Sequence, residues 1–377
     1  MITLSSADRA PDPAVLHSPG GFTWFYVDLV DDQGGGATII WSWGLPFLPG
    51  YASAARGGRP ELPIARPSVN VAVYGGGRER FYLLSELSPG QCRWDEDGRS
   101  WRLGDSTFSW TDTAGSAGAA PTRVLQANLD LALPTGGRAT GSLRLAGPLR
   151  RDSPDSVAIA AGDPECTHLW APMIAASRGC LELHTPDGTL RVEGRGYHDR
   201  NSAAQPLHGL GIQSWWWGRL ALKGRDLIFY RLVPSAPGAA PRDLVVDLAA
   251  DGSCRAREDT GLQLGRLRRS NWGLHWPEGA AFPDPDGRPV QVGVSAVLDN
   301  GPFYHRYLLH GRCGDDEGYG IGEYLVPDRV DSDLLRPLVR MRVHRDGGPN
   351  SMWLPLFSGD SDGRWRRLLG RSRTVLR

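Results

Sequence analysis

The sequence predicts an all-β fold of antiparallel sandwiches or barrels, and three observations carry that prediction. Short strand-like runs recur along the chain, most of them bounded by Gly, Pro, Asn or Asp. Gly and Pro are abundant, 49 and 29 among 377 residues, and supply the turns between the runs. No long stretch of 3.6-residue apolar periodicity interrupts the series. The length is long for one domain and comfortable for two.

In the first half the expected strands are Phe22–Val30 (FTWFYVDLV), then 37–43, 69–74, 81–84, 101–103, 106–111, 125–133, 140–145, 180–184 and 190–194. Gly34-Gly35-Gly36 and Gly75-Gly76-Gly77 read as hairpin turns and not as phosphate cradles, since no helix follows them. In the second half, 215–222 and 227–233 form a hairpin about Lys223-Gly224-Arg225-Asp226. Strands at 244–248, 266–274, 290–298, 304–311 and 318–326 follow. The best helix candidate is 332–343, with Pro337 inside it to interrupt or kink it. The polar loop 201–208 separates two strand series. The expected division is a first domain of residues 1–205, carrying most of the functional site, and a second of 206–377 ending in a basic tail.

Composition excludes several classes. Apolar residues make up 40% and charged residues 22%, a globular balance. Acids and bases stand at 42 each, so no overall field draws the chain to nucleic acid. Residues 1–21 lack a basic segment followed by an apolar one, and no run approaches the ~18 apolar residues of a membrane span. Five scattered cysteines without a CxxC pair suggest reduced thiols, with neither a disulfide framework nor a zinc site. HExxH, GxSxG and GxxxxGK[ST] do not occur, and no cofactor or metal is expected.

The chemistry concentrates between Cys166 and Trp217. That stretch holds His168-Leu169-Trp170, Gly196-Tyr197-His198-Asp199-Arg200-Asn201 and Trp215-Trp216-Trp217. His168 and Trp170 are two apart, as are Tyr197 and Asp199, and in a strand such pairs share a face. An Asp among indoles loses hydration when charged. Its pKa therefore rises and leaves it protonated near neutrality, able to protonate even a carbon–carbon double bond. The resulting cation needs electron-rich walls, which Trp170 and one of Trp215–Trp217 supply through cation–π attraction. His168 and Tyr197 would hold the acid in its productive rotamer, or position and deprotonate a water. The plainer alternative makes Asp199-Arg200-Asn201 a turn, His168 structural and the tryptophans core. Glu323 is expected to stand exposed, the other option being that it points into the second barrel.

At these residues the chain resembles the acyclic carotenoid 1,2-hydratase (hydroxyneurosporene synthase) family within the lipocalin-like hydratase and cyclase superfamily. The similarity rests on His168-x-Trp170-x-Pro172, Gly196-Tyr197-x-Asp199-x-Asn201, Pro206-Leu207 and Trp217-Gly218-Arg219. Ser68-Val69-Asn70-Val71-Ala72-Val73-Tyr74, Trp24-Phe25-Tyr26 and Gly318-Tyr319-Gly320-x-Gly322-Glu323-Tyr324 support it. Ser202-Ala203-Ala204 depart from the family pattern, which places an aromatic residue and a Gly after the Asn. The resemblance implies two lipocalin-like β-barrel or sandwich domains and cofactor-independent addition of water to a terminal C=C. It implies Asp199 as proton donor with His168, Trp170 and Tyr197 as its partners. Trp24, Tyr26, Asn201, Trp215 and Trp217 are the expected substrate contacts.

The expected function is thus hydration of an acyclic carotenoid or similar isoprenoid. The alternatives are a lipocalin-like cyclase, pericyclic or proton-initiated, and a non-catalytic lipid or pigment carrier. Trp41, Trp43 and Phe47 suit an apolar tunnel for such a substrate. The tail carries Arg364, Arg366, Arg367, Arg371, Arg373 and Arg377 without an acid. It reads either as a contact with an anionic membrane or as a solvated terminus. The expected location is cytoplasmic, with peripheral contact at the inner membrane.

Overall fold

The computed structural model describes residues 2–5, 13–95, 97–115, 120–151, 158–159, 167–330 and 332–365. Among these, two large sheets hold nearly all the regular structure. The main path of the first runs Val343–Arg345, Arg78–Glu86, Pro67–Gly75, Gly36–Trp43, Phe22–Val30, Gly188–Ala203, His168–Thr185, Arg138–Pro148, Thr122–Ala132, Ser106–Thr113, Ser100–Leu103, Cys92–Trp94. The second runs Cys254–Glu258, Arg242–Ala249, Arg225–Pro234, Ile212–Leu222, Asp316–Leu325, Tyr304–Cys313, Pro289–Asn300, Gly279–Pro283, Gln263–Leu264. Both are antiparallel along these paths except where Val343–Arg345 joins Arg78–Glu86, and both curl in the lipocalin-like manner. No described helix is long and apolar enough to cross a membrane.

The largely apolar composition of Phe22–Val30, interrupted only by Thr23 and Asp28, has a simple cause: both faces of the strand are buried. Phe25, Val27 and Leu29 enter the core inside the first sheet, with Trp41, Trp43, Trp101 and Phe108. Phe22, Trp24 and Tyr26 point the other way, into a core shared with the second sheet. Ile212–Leu222 does the same from its side. Trp216, Leu220 and Leu222 fill the second sheet's own core, while Trp215 and Trp217 meet the first sheet. Three hydrophobic layers result, each fully buried large side chain contributing roughly 1.5–3 kcal/mol. The middle layer joins the two sheets.

Charge also crosses that layer. Arg219, fully buried, donates from Nη1 to Asp226 Oδ1 at 2.9 Å and from Nε and Nη2 to Asp28 of the first sheet. Asp226 Oδ2 accepts the backbone N–H of Ala176 at 2.8 Å. Ala176 sits at φ 47° in an irregular segment of His168–Thr185, where the register shifts between Pro172 and Ser177. Glycine is required at position 320, where a Cβ would lie 1.6 Å from the Arg219 carbonyl oxygen of the neighbouring strand.

Several expectations are corrected. Strands 180–184 and 190–194 are the ends of an 18-residue and a 16-residue strand, His168–Thr185 and Gly188–Ala203. Asp199-Arg200-Asn201 and Ser202-Ala203 therefore lie within a strand and form neither a turn nor a loop. Residues 266–274 are not one strand: Leu267–Arg269 pairs with His275–Pro277 around a turn in which Ser270 Oγ accepts from Trp272 and Leu274 N–H. Helix 332–343 shrinks to Arg336–Arg340, because Pro337 lacks an N–H and sits in its first turn. The loop between 222 and 225 is only Lys223-Gly224, with Arg225 and Asp226 already in the next strand. Val343–Arg345 and Gly359–Asp360 return to pair with Arg78–Glu86, so the chain after 206 does not stay with the second sheet. Cys166 and residues 366–377 lie outside the described residues.

Candidate active site

Strand register builds the site. Across the first sheet, Pro172, Asp199, Tyr26, Ile40, Asn70 and Leu84 are successive cross-strand partners. Across the second, Leu244, Tyr230, Trp217, Glu323, Arg306 and Asp299 are likewise in register. All but the first residue of each row line one cavity of about 120 Å³ between the sheets. That holds several water molecules at roughly 10–15 Å³ each. Trp24, Phe47, His168, Asn201, Trp215, Phe303 and Tyr304 complete much of its wall. The site therefore lies at the junction of the two sheets and inside neither barrel.

Asp199 is 3% exposed and held at both oxygens. Oδ2 accepts from Trp170 Nε1 at 2.8 Å and from Tyr197 Oη at 2.9 Å, and Oδ1 accepts from Asn201 Nδ2 at 2.9 Å. Burial pushes its carboxyl up to about 8, against the opposing hydrogen bonds from Trp170 and Tyr197; the nearby charge of Glu323 adds to the rise. At neutral pH the group is an acid. Both lone pairs of Oδ2 are taken, which places the proton on Oδ1. Burial also keeps the Tyr197 phenol protonated and so a donor.

His168 faces Asn201, with Nε2 2.9 Å from Oδ1. Asn201 gives its amide N–H to Asp199, so its oxygen must accept from His168 Nε2–H. Burial pushes the imidazole down to about 4, and the ring is neutral near pH 7, its Nδ1 without a hydrogen-bond partner among the described residues. Phe22, Trp24 and Trp215 enclose it, with ring centroids 5.6, 5.5 and 6.2 Å away. Trp217 stands over Tyr26 at 5.4 Å and Tyr197 at 6.0 Å, and Tyr230 meets Trp170 edge-on at 5.0 Å.

The nine residues singled out from the sequence, Trp24, Tyr26, His168, Trp170, Tyr197, Asp199, Asn201, Trp215 and Trp217, all come together here. Trp170 and Tyr197 hold the acid from outside the cavity lining. Trp216 faces away, as strand alternation requires, and packs on Phe229. Trp41 and Trp43 belong to the first sheet's interior, so of that aromatic group only Phe47 reaches the cavity. The expectation of an exposed Glu323 is overturned: its side chain is 17% exposed, lines the cavity and is paired with Arg306. That pairing removes the objection to burying it. Tyr230, Tyr304, Arg306, Asp299 and Arg342 were not singled out. Their place depends on cross-strand register, which residue type alone does not signal.

A buried, protonated carboxyl between two curled lipocalin-like β sheets, beside a cavity rich in aromatic rings, fits an enzyme of the hydro-lyase class. The chain belongs to the carotenoid hydratase family CrtC, whose model matches residues 39–351. It is 28% identical over 345 residues to an acyclic carotenoid 1,2-hydratase of Thiocapsa roseopersicina, covering 91% of this chain and 78% of that one. It is 26% identical over 361 residues to a protein of Chlorobaculum tepidum named hydroxyneurosporene dehydrogenase, covering 90% and 91%. Among solved structures it resembles a putative AttH of Nitrosomonas europaea, with TM-score 0.55 and 13% identity, covering 85% of this chain and 98% of that one. It also resembles CghA with Sch210972, with TM-score 0.51 and 13% identity, covering 86% and 98%. At such identity these two share the fold alone.

Proposed function

We propose that this hydratase adds water across the terminal C=C of an acyclic carotenoid or similar isoprenoid, with Asp199 as proton donor. The observation that carries the reading is the neutral carboxyl of Asp199, raised to about 8 by burial and lining a cavity walled by Trp24, Trp215, Trp217 and Tyr230. The alkene π pair takes the Oδ1 proton and a tertiary cation forms; water bonds to the cation and loses a proton to give a tertiary alcohol. The conjugate carboxylate keeps its three donors, so the site is organised in advance for the charge that develops. Indole and phenol rings stabilise the cation without attacking it, through attraction of up to ~2 kcal/mol when desolvated. His168 orients Asn201, and Asn201 in turn fixes the acid's rotamer. The chemistry as proposed draws on side chains and water alone.

The test is incubation of the protein with lycopene or neurosporene in liposomes, in water enriched in oxygen-18, with mass analysis of the pigment. Hydration gives an alcohol carrying the label. A ring product without oxygen would move the assignment to a cyclase, and bound but unchanged pigment would move it to a carrier. Arginines of the tail would bring the protein to an anionic membrane, where such a substrate resides.

A further inference from the structure

The cavity has a second polar station, opposite the acid. Glu323 stands on the second sheet, between Trp217 and Arg306 in the register row. Its Oε1 accepts from Tyr304 Oη at 2.6 Å and from Arg306 Nε at 3.0 Å, and Arg306 Nη2 is also 3.0 Å away. Oε2 accepts from no described residue. Arg306 is itself fixed from the first sheet, donating from Nη1 to Thr38 Oγ1 at 2.7 Å and Tyr74 Oη at 2.8 Å. One carboxylate oxygen is thus clamped by two donors of the second sheet, one of them anchored from the first, while the other is left for a small molecule in the cavity. The candidate rival, His168 Nδ1, is on the acid's own wall and boxed in by three aromatic rings.

We infer that Glu323 is the water-capturing base of the reaction, binding the nucleophilic water at Oε2 and taking its proton as the C–O bond forms. This rests on the reading of Asp199 as proton donor. Asp199 Oδ1–H breaks as the new C–H bond forms. A lone pair of the water then makes the C–O bond, and one water O–H breaks with its proton passing to Glu323. The proton returns to Asp199 through cavity water, so both carboxyls are reset and the net change is alkene plus water to alcohol. Acid and water face the substrate from opposite walls, and the addition is anti. Tyr304 and Arg306 are positioning residues that aim Oε2.

The experiment follows both halves of the reaction in D2O with lycopene in liposomes. Wild type gives alcohol with one carbon-bound deuterium per hydrated end. Asp199→Asn gives neither alcohol nor deuterium in the recovered polyene; if it still gives either, the donor reading fails, whatever Glu323 does. Glu323→Gln still protonates the alkene, but the uncaptured cation loses a proton to Asp199, and where that is a protium from the protonated carbon or from a methyl beside the cationic centre the added deuteron stays behind. Deuterium therefore enters recovered polyene while alcohol formation falls by about 100-fold or more, the range for loss of a general base. Alcohol formation at the wild-type rate in Glu323→Gln overturns the inference, as does loss of both alcohol and exchange in a folded variant. Glu323→Asp, which retracts the carboxylate but keeps its charge against Arg306, should show an intermediate ratio of alcohol to exchange. A wild-type ratio there also overturns it, and this variant decides the matter if Glu323→Gln does not fold.

Discussion

Trp170 and Asp199 are not cross-strand partners, yet the indole N–H lies 2.8 Å from Oδ2. Trp170 stands opposite Asn201, and Asp199 opposite Pro172. The contact is diagonal, within the reach of a long aromatic side chain. It joins two neighbouring strands at the acid. Tyr197 reaches the same oxygen from two residues along the acid's own strand.

These donors hold the carboxylate better than the acid. Trp170→Phe and Tyr197→Phe should each lower kcat by roughly 10- to 100-fold, the equivalent of one hydrogen bond to a charged group at about 1.5–3 kcal/mol. Substrate binding should change little. Steady-state kinetics beside pigment-binding titrations check this; a rise in KM with unchanged kcat would assign both residues to binding instead.

The pH profile follows from the raised carboxyl. The donor is protonated below about 8, so kcat should fall as pH rises through that value. Tyr197→Phe removes a bond that favours the carboxylate and should move this limb to higher pH. Stability runs the same way. The folded pKa lies above the unfolded value, so the contribution of Asp199 is present at acid pH and is lost as pH rises through about 8. The Tm of wild type should accordingly fall relative to Asp199→Asn between pH 5 and 9, and parallel curves would contradict the assignment.

Arg219 should matter for stability more than any surface pair. Arg219→Met leaves Asp28 and Asp226 buried without their shared cation, at a cost of about 3–5 kcal/mol. Adding Asp28→Asn and Asp226→Asn to it should recover much of that loss. Urea unfolding midpoints across the series provide the measurement.

Arg364 does not behave as part of a free tail: its guanidinium pairs with Glu79 at 2.8 Å, while the adjacent Trp365 is 67% exposed. Removal of residues 366–377 deletes five arginines and leaves that pair intact. Binding to anionic vesicles should weaken at low salt, each base being worth ~1 kcal/mol near such a surface. Unchanged vesicle binding would remove the membrane role.

Much of the acid's half of the site was legible because period two acts within a single strand. His168 with Trp170, Tyr197 with Asp199 and Trp215 with Trp217 could be paired by face from spacing alone. Spacing does not say which face is which. Trp41 and Trp43 share a face as spacing requires, but it is the first sheet's interior. Glu323 stayed hidden for a further reason. Its burial depends on Arg306, 17 residues away across the sheet, and through Arg306 on Thr38 and Tyr74 across the junction, 268 and 232 residues from that arginine, which no local pattern connects. The length of His168–Thr185 and Gly188–Ala203 was masked by polar residues that ordinarily end strands and here satisfy one another.

The return of Val343–Arg345 and Gly359–Asp360 to the first sheet makes the second sheet a body leashed at both ends. A body on one leash can swing wide like a jaw; one on two leashes can only slide or part by a narrow slit. The long polyene proposed above would then enter end-first, as a thread enters a needle, and only its tip would meet Asp199. Regioselectivity for the end of a chain would on this view be a property of connectivity, fixed before any pocket side chain makes contact.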